Sequence, residues 1–284
     1  GATPEEMSRS ARAEAVLLAD LEPSARSLGR GTARFQIMID SVNAVRARSI
    51  ENYAQTILAQ HLRDEDLDKK VPSFQFNVRT FYNPERDTAI YLVPGTICML
   101  LFVAMTALTS MSMSRERERG TIETLFASPL TPWELLLGKS VPFIVLGLLQ
   151  LPFGLFFARL IGVPIRGPLW MIGLATLIFL CAAVWGGLLV SSGVRNQQQG
   201  IFATFFSIFP MIQLSGVIFP VENMPHSVAW LAYLNPLHYY VDVMRHLMLK
   251  GGDMTVIGPK MAAMGALGCL MMLRVVSTFR TRID

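Results

Sequence analysis

The chain has 284 residues, 52% of them hydrophobic and only 16% charged, with a mean hydropathy of +0.41. A soluble domain carries roughly 25% charged residues, so this composition points away from one. The excess of +4 is not a nucleic-acid footprint: residues 1–89 are near neutral, with 12 Lys+Arg against 13 Asp+Glu, and the surplus lies in the apolar remainder.

Residues 1–89 hold 25 of the 46 charged residues and read as a small mixed domain. Ala15–Ala19 is too short for the apolar core of a signal peptide and is flanked by Glu14 and Asp20. Phe35, Ile37 and Ile39 alternate with Arg34, Gln36 and Met38, which predicts a strand. Ala47, Ile50, Ala54, Ile57 and Leu58 recur at helical spacing, so residues 43–62 read as an amphipathic helix capped by Ser41 or Asn43. Arg63–Lys70 is a solvated loop. Phe74, Phe76 and Val78 alternate with Gln75, Asn77 and Arg79 as a second strand. Such a unit buries little surface alone, so it is expected to lean on the membrane portion or on a partner.

Residues 90–284 form the membrane part. A span needs about 20 apolar residues. Five blocks meet this: Ile90–Met113, Gly138–Leu160, Leu169–Val190, Gly200–Phe219 and Thr255–Val276. The last is the weakest, because Pro259 and Lys260 interrupt its start. Cys98, Cys181 and Cys269 fall in three different blocks without metal-ligand spacing and read as small apolar fillers. No internal repeat is visible, so an inverted-repeat carrier has no support.

Short-loop Lys and Arg set the orientation. Arg115, Arg117, Arg119, Lys139, Arg195, Arg274, Arg280 and Arg282 outweigh Arg159, Arg166, Arg245, Lys250 and Lys260, which makes the first set cytoplasmic. Five spans with the C-terminus inside put the N-terminal domain outside. Nothing in residues 1–89 would translocate it, so an upstream span is expected to be missing from this polypeptide.

The cytoplasmic wedge Arg115–Pro129 lies between two spans. If the first span continues as a helix, Arg115 faces Glu118 and Glu116 faces Arg119. Ile122, Leu125 and Phe126 make a short apolar face, and Ser128-Pro129 ends the piece. A plain loop has no reason to show that face to water, so the segment reads as a docking surface. Thr131-Pro132-Trp133-Glu134 opens the next helix as a capping box.

The outer segment Phe219–Gly251 is too polar to span and too long for a simple loop. Asn235-Pro236 caps a helix there, and Gly251 stops it. Leu237, Tyr240, Val241, Met244, Leu247 and Met248 form one apolar stripe; His238, Asp242 and Arg245 form a salt-bridged polar face. The helix is expected to lie in the outer interface or dip back into the membrane. Trp230 and Tyr233 fit an aromatic belt. No nucleophile motif or HExxH-type spacing accompanies the histidines, so chemistry at His238/Asp242 is the alternative reading, as is a non-transporting scaffold.

No Asp, Glu, Lys or His lies mid-span; Gln150 and Gln213 are the strongest polar groups there. Ion-coupled carriers need buried ionisable groups, so the energy for any transport is expected to come from a partner. The chain has no Walker-type glycine loop of its own.

Three motif runs occur in order. Val78–Glu85 leads into Leu92-Val93-Pro94-Gly95; Arg115–Glu123 leads through Ser128-Pro129-Leu130 to Leu137-Gly138-Lys139; Phe219–Pro225 leads through Tyr233–Leu237 to Arg245 and Leu249-Lys250-Gly251. Together they resemble the membrane subunit of type-2 ABC exporters, in the multidrug-type permease group. Asp40-Ser41 adds a weaker likeness in the outer domain.

The resemblance implies an α-helical integral membrane protein of six spans, of which five are seen here, with a small α/β extracytoplasmic domain at the N-terminus. It implies that Gly120–Pro129 is a coupling helix docking on a separate cytoplasmic ABC ATPase subunit, which carries the ATP and Mg; no cofactor belongs to this chain. Arg115, Glu118, Gly120, Thr121, Glu123, Leu125, Phe126 and Pro129 are the coupling residues on this reading. Glu222, Asn223, Pro225, Asn235, Pro236 and Arg245 shape an outer gate. A second permease copy completes the path, a periplasmic adaptor is a further candidate partner, and the setting is the bacterial inner membrane. The apolar spans suggest amphipathic or drug-like substrates.

Overall fold

The computed structural model describes residues 15–19, 34–40, 53, 56, 75–81, 88–121, 131–218, 220–221 and 224–280. The chain divides into two compact units, Gly1–Tyr91 and Leu92–Asp284.

In the first unit, strands β1 (Ala15–Ala19), β2 (Arg34–Asp40) and β3 (Gln75–Phe81) form one sheet in that order. β1 runs antiparallel to β2, and β2 parallel to β3, with Phe35 opposite Phe76 and Ile37 opposite Val78. The two strands expected from alternation are therefore present and adjacent. A parallel pair needs a crossover of a dozen or more residues. Of the helix expected there, Tyr53 and Thr56 are described, and both are helical; the rest of 43–62, the loop 63–70 and Phe74 lie outside the described residues. β1 comes from the short apolar run set aside above as no signal peptide.

The second unit is helical: α1 (Thr88–Glu118), α2 (Pro132–Leu160), α3 (Leu169–Ser192), α4 (Gln197–Gln213), α5 (His226–Ala232), α6 (Pro236–Arg245), a π-helical turn (His246–Lys250) and α7 (Met254–Arg280). Four helices among the described residues are long and apolar enough to cross a membrane: Ile90–Glu118, Trp133–Leu160, Leu169–Ser192 and Met254–Thr278.

Four of the five expected blocks fall on these helices. The fifth block is an unbroken helix in spite of Pro259 and Lys260: Pro259 sits near its start, and Lys260 finds Asp242 at 3.0 Å. The fourth block is the short one. Its helix ends at Gln213 after 17 residues, about 25 Å at 1.5 Å per residue. Leu214 to Gly216 turn instead of continuing, with Gly216 at φ 82°.

α3 is the buried centre, packed against α7, α2, α6 and α4. Ile172, Ala175, Phe179, Leu180, Ala182 and Val184 are wholly enclosed. α2 shows the opposite character: Val145, Leu149, Phe153, Phe156 and Phe157 are exposed. A helix apolar all round with one face uncovered suits hydrocarbon rather than water.

Candidate functional site: the two ends of the helical bundle

At one end, α1 finishes beside the start of α2, the end of α3 and the start of α4. Met113, Leu136, Leu188 and Val275 seal the apolar layer there. Consecutive residues of the last turn of α1 then reach different neighbours. Glu116 forms an ion pair with Lys139 of α2. Arg117 donates from Nη1 to the carbonyls of Ser192 at 2.7 Å and Val194 at 3.1 Å, where α3 ends. Glu118 accepts from the backbone N–H of Gln197 at 2.9 Å, where α4 begins.

The i,i+3 pairs expected within the wedge are therefore replaced. Neither Arg115–Glu118 nor Glu116–Arg119 forms among the described residues, because Glu116 and Glu118 turn to tertiary partners. Arg115 and Arg119 point outward and are exposed. Gly120 follows at φ +72°, a left-handed helix stop that glycine adopts without steric cost. Thr121 is exposed and donates to the carbonyl of Glu116 at 3.1 Å. Glu123, Leu125, Phe126 and Pro129 lie outside the described residues. The capping box that reopens the chain at α2 is present: the N–H of Thr131 donates to Glu134 at 2.9 Å, and the N–H of Glu134 returns to the Thr131 hydroxyl.

At the other end, α6 is embedded rather than laid on a surface. Leu237, Tyr240, Val241, Val243 and Met244 are all 0% exposed. Asn235 caps the helix by accepting from the N–H of Leu237 at 3.0 Å and donates from Nδ2 to the carbonyl of Met211 at 2.6 Å. Pro236 holds the first helical position, and the exposed Pro225 precedes α5. Glu222 and Asn223 lie outside the described residues. Trp230 and Tyr233 are exposed, as a belt requires.

The polar face of α6 meets its surroundings through both a salt bridge and backbone carbonyls. Arg245 is buried and donates to the carbonyls of Gly216 at 2.9 Å and Val217 at 3.1 Å. His238 Nδ1–H donates to the Ser215 carbonyl at 3.3 Å. Asp242 pairs with Lys260 at 3.0 Å. The three groups serve three different partners and do not converge on one point, as a catalytic set would. Two of them bind the turn that ends α4. Beyond α6 the π-helical turn closes at Gly251, φ +91°, and its Met248 carbonyl accepts from Arg166 of the α2–α3 loop.

Two further features were not read from the sequence. One is a seam between α1 and α4: Thr204 donates to Ser110 at 2.7 Å, and Gly200 lies so close to Ser114 that a Cβ would meet the Ser114 Cβ at 2.9 Å. The small residues at 110, 114, 200 and 204 were the available signal. The other is a groove along the seam. α1 and α4 flank a space of about 290 Å³ lined by Val103, Ala107, Met111, Thr204, Phe205 and Ile208, among others.

The two sets of Lys and Arg separated by the charge rule also lie at opposite ends of this bundle. Arg117 and Lys139 mark one end, and Arg166, Arg245 and Lys260 the other.

A family model described as "ABC-2 family transporter protein" matches residues 8–275. The chain is 32% identical over 231 residues to the probable multidrug ABC transporter permease YbhR of Escherichia coli K12, covering 80% of this chain and 62% of that one. It is also 32% identical over 231 residues to YbhS of the same strain, likewise described as a probable multidrug ABC transporter permease, covering 80% of this chain and 61% of that one. Similarity to the inner membrane transport permease YhhJ of the same strain is 26% over 257 residues, covering 87% of this chain and 68% of YhhJ. The chain thus spans about three fifths of the length of YbhR and YbhS. With its long apolar helices, the charge wedge after α1 and the embedded helix α6, this multi-pass membrane protein belongs to the ABC-2 transporter family.

Proposed function

We propose that this chain is the permease subunit of an ATP-driven ABC exporter in the bacterial inner membrane, working as one of two copies. The end holding Glu116–Glu118 faces the cytoplasm, and the segment Gly120–Pro129 docks on a separate ATPase subunit. Residues 1–89 form an α/β domain on the outer side, and residues 90–284 the membrane domain. ATP-driven movement of the ATPases shifts α1 and the helices tied to it, exchanging inward and outward states.

The observation that carries this reading is the last turn of α1. It ends at an exposed stop, Gly120-Thr121, immediately before the proposed docking segment. It is also bonded to α2, α3 and α4 at once. Force applied there reaches three helices through short polar contacts.

The apolar groove between α1 and α4 supports a path for amphipathic or drug-like molecules shared with a second copy. The exposed aromatic row Phe202, Phe205, Phe206 and Phe209 continues it outward. The names of YbhR and YbhS agree with such substrates. The buried α6, with Asn235, Pro236 and Arg245 anchoring it to the end of α4, suits a gate at the far end, and Glu222, Asn223 and Pro225 lead into it. A periplasmic adaptor remains part of the proposal.

The test is capture of the ATPase from native membranes by the tagged permease, with Leu125→Asp and Phe126→Asp beside the parent. The parent is expected to retain the ATPase, and each variant to lose it by about tenfold or more, because a carboxylate buried in place of an apolar anchor costs more than the roughly 1.4 kcal/mol that a tenfold change needs. Undiminished capture by both variants contradicts the docking assignment.

A further inference from the structure

The neighbours of Arg117 and Glu118 carry opposite partial charges. A helix end exposes carbonyls and bears partial negative charge; a helix start exposes N–H groups and bears partial positive charge. α3 ends at Ser192 and α4 begins at Gln197, so one short corner presents both. Arg117 sits on the carbonyls of Ser192 and Val194, and Glu118 on the N–H of Gln197. Each charge therefore matches the helix end it touches.

The same corner is held a second time, one and two turns along. Gly200 abuts Ser114, and Thr204 donates to Ser110. α1 and α4 are locked together at this end, and the apolar groove runs along the same pair of helices.

We propose that Arg117 and Glu118 form a polar clamp on the α3–α4 corner that makes α4 move with α1, Glu118 holding the start of α4 and Arg117, as positioning residue, the corner that leads into it. The inference rests on the transport reading above and adds how motion reaches the helix that walls the groove. Arg117 is half-buried, with its guanidinium on the carbonyls at the end of α3. Lever arithmetic favours this corner: α4 is about 25 Å long, so a turn of about 10° at its clamped end carries its far end about 4 Å.

The experiment uses the full chain co-expressed with its ATPase and reconstituted in proteoliposomes. Cys98, Cys181 and Cys269 are replaced by Ala, and nitroxides are placed at Phe209→Cys on α4 and Phe153→Cys on α2. The distance between the labels is measured with and without ATP plus vanadate. The parent is expected to show a nucleotide-dependent shift. Arg117→Gln is expected to capture the ATPase yet lose most of that shift, roughly fivefold or more. Arg117→Lys, which still offers a cation to the carbonyls, is expected to restore it. Arg195→Gln, which removes an exposed charge from the same corner, is expected to keep it. Should Arg117→Gln fail to fold, Glu118→Ala removes the other half of the clamp and carries the same expectation. An equal shift in the parent and the clamp variant, with ATPase bound in both, overturns the clamp and leaves the transport reading standing. A parent that captures no ATPase and shows no shift overturns both.

Discussion

The ring of Tyr240 lies flat on that of Phe179, with centroids 4.0 Å apart and planes 8° from parallel. Its hydroxyl donates to Thr176 at 2.8 Å, while Thr176 donates to the carbonyl of Ile172. This stack fastens the embedded outer helix α6 to the central helix α3. Tyr240→Phe keeps the stack and leaves Thr176 bonded to Ile172, so it is expected to cost about 0.5–1.5 kcal/mol. Tyr240→Ala opens a cavity at the centre and is expected to cost about 3–5 kcal/mol. Thermal midpoints in detergent, compared with the parent, check the order; equal losses would show that the hydroxyl, and not the ring, holds the helix.

The α1–α4 seam predicts an unequal response to alanine. Gly200→Ala drives a methyl into the Ser114 Cβ and is expected to cost about 1–3 kcal/mol by overpacking. Gly173 has nothing within 4 Å, so Gly173→Ala is expected to be neutral or stabilising by up to about 1 kcal/mol through helix propensity. Adding Ser114→Gly to Gly200→Ala is expected to return part of the loss. A double-mutant cycle on thermal stability reads the coupling, and strict additivity contradicts the seam.

Much of this architecture is local and was legible in the sequence. The capping box Thr131/Glu134 and the cap at Asn235-Pro236 are short-range hydrogen-bond patterns, and both occur. Strands β2 and β3 sit where alternation placed them. The end of α4 was not legible. The apolar run continues to Phe219, but the helix stops six residues earlier, where Arg245, 28 and 29 residues away, takes the freed carbonyls. The same limit applies to the wedge. Spacing alone paired Glu118 with Arg115, whereas the fold supplies a helix start 79 residues on. Partners brought together by tertiary packing leave no periodic trace.

The outer polar face predicts a ranking. Asp242 and Lys260 are each about a third exposed, so breaking their pair by Asp242→Asn is expected to cost no more than about 1 kcal/mol. Arg245 is buried and holds two carbonyls, so Arg245→Ala is expected to cost about 2–5 kcal/mol and loosen the turn after α4. His238→Ala is expected to leave ATPase capture and turnover intact. Urea or thermal unfolding in detergent gives the order; a larger loss at Asp242 than at Arg245 contradicts it.

Asp253 predicts a pH dependence at the start of α7. The backbone N–H of Thr255, and then its hydroxyl, hold the Asp253 carboxyl below its ordinary value. A depressed carboxylate contributes stability above its unfolded value and loses it as pH falls through the folded one. Asp253→Ala is therefore expected to be less stable than the parent at neutral pH, with the gap narrowing below the usual carboxylate range. Asp253→Asn, which still accepts the N–H, is expected to lie between them. A gap that stays constant down to acid pH contradicts the assignment.

The account turns on which side of the membrane holds the end of α1. Thr121→Cys, in a chain whose three native cysteines are alanine, reports on it, with Ser227→Cys, exposed at the opposite end, as the outward control. A membrane-impermeant maleimide applied to intact spheroplasts is expected to label position 227 and spare position 121, and to label both once the membrane is opened. Labelling of position 121 in sealed spheroplasts would contradict the account, because no cytoplasmic ATPase reaches a segment displayed outside the cell.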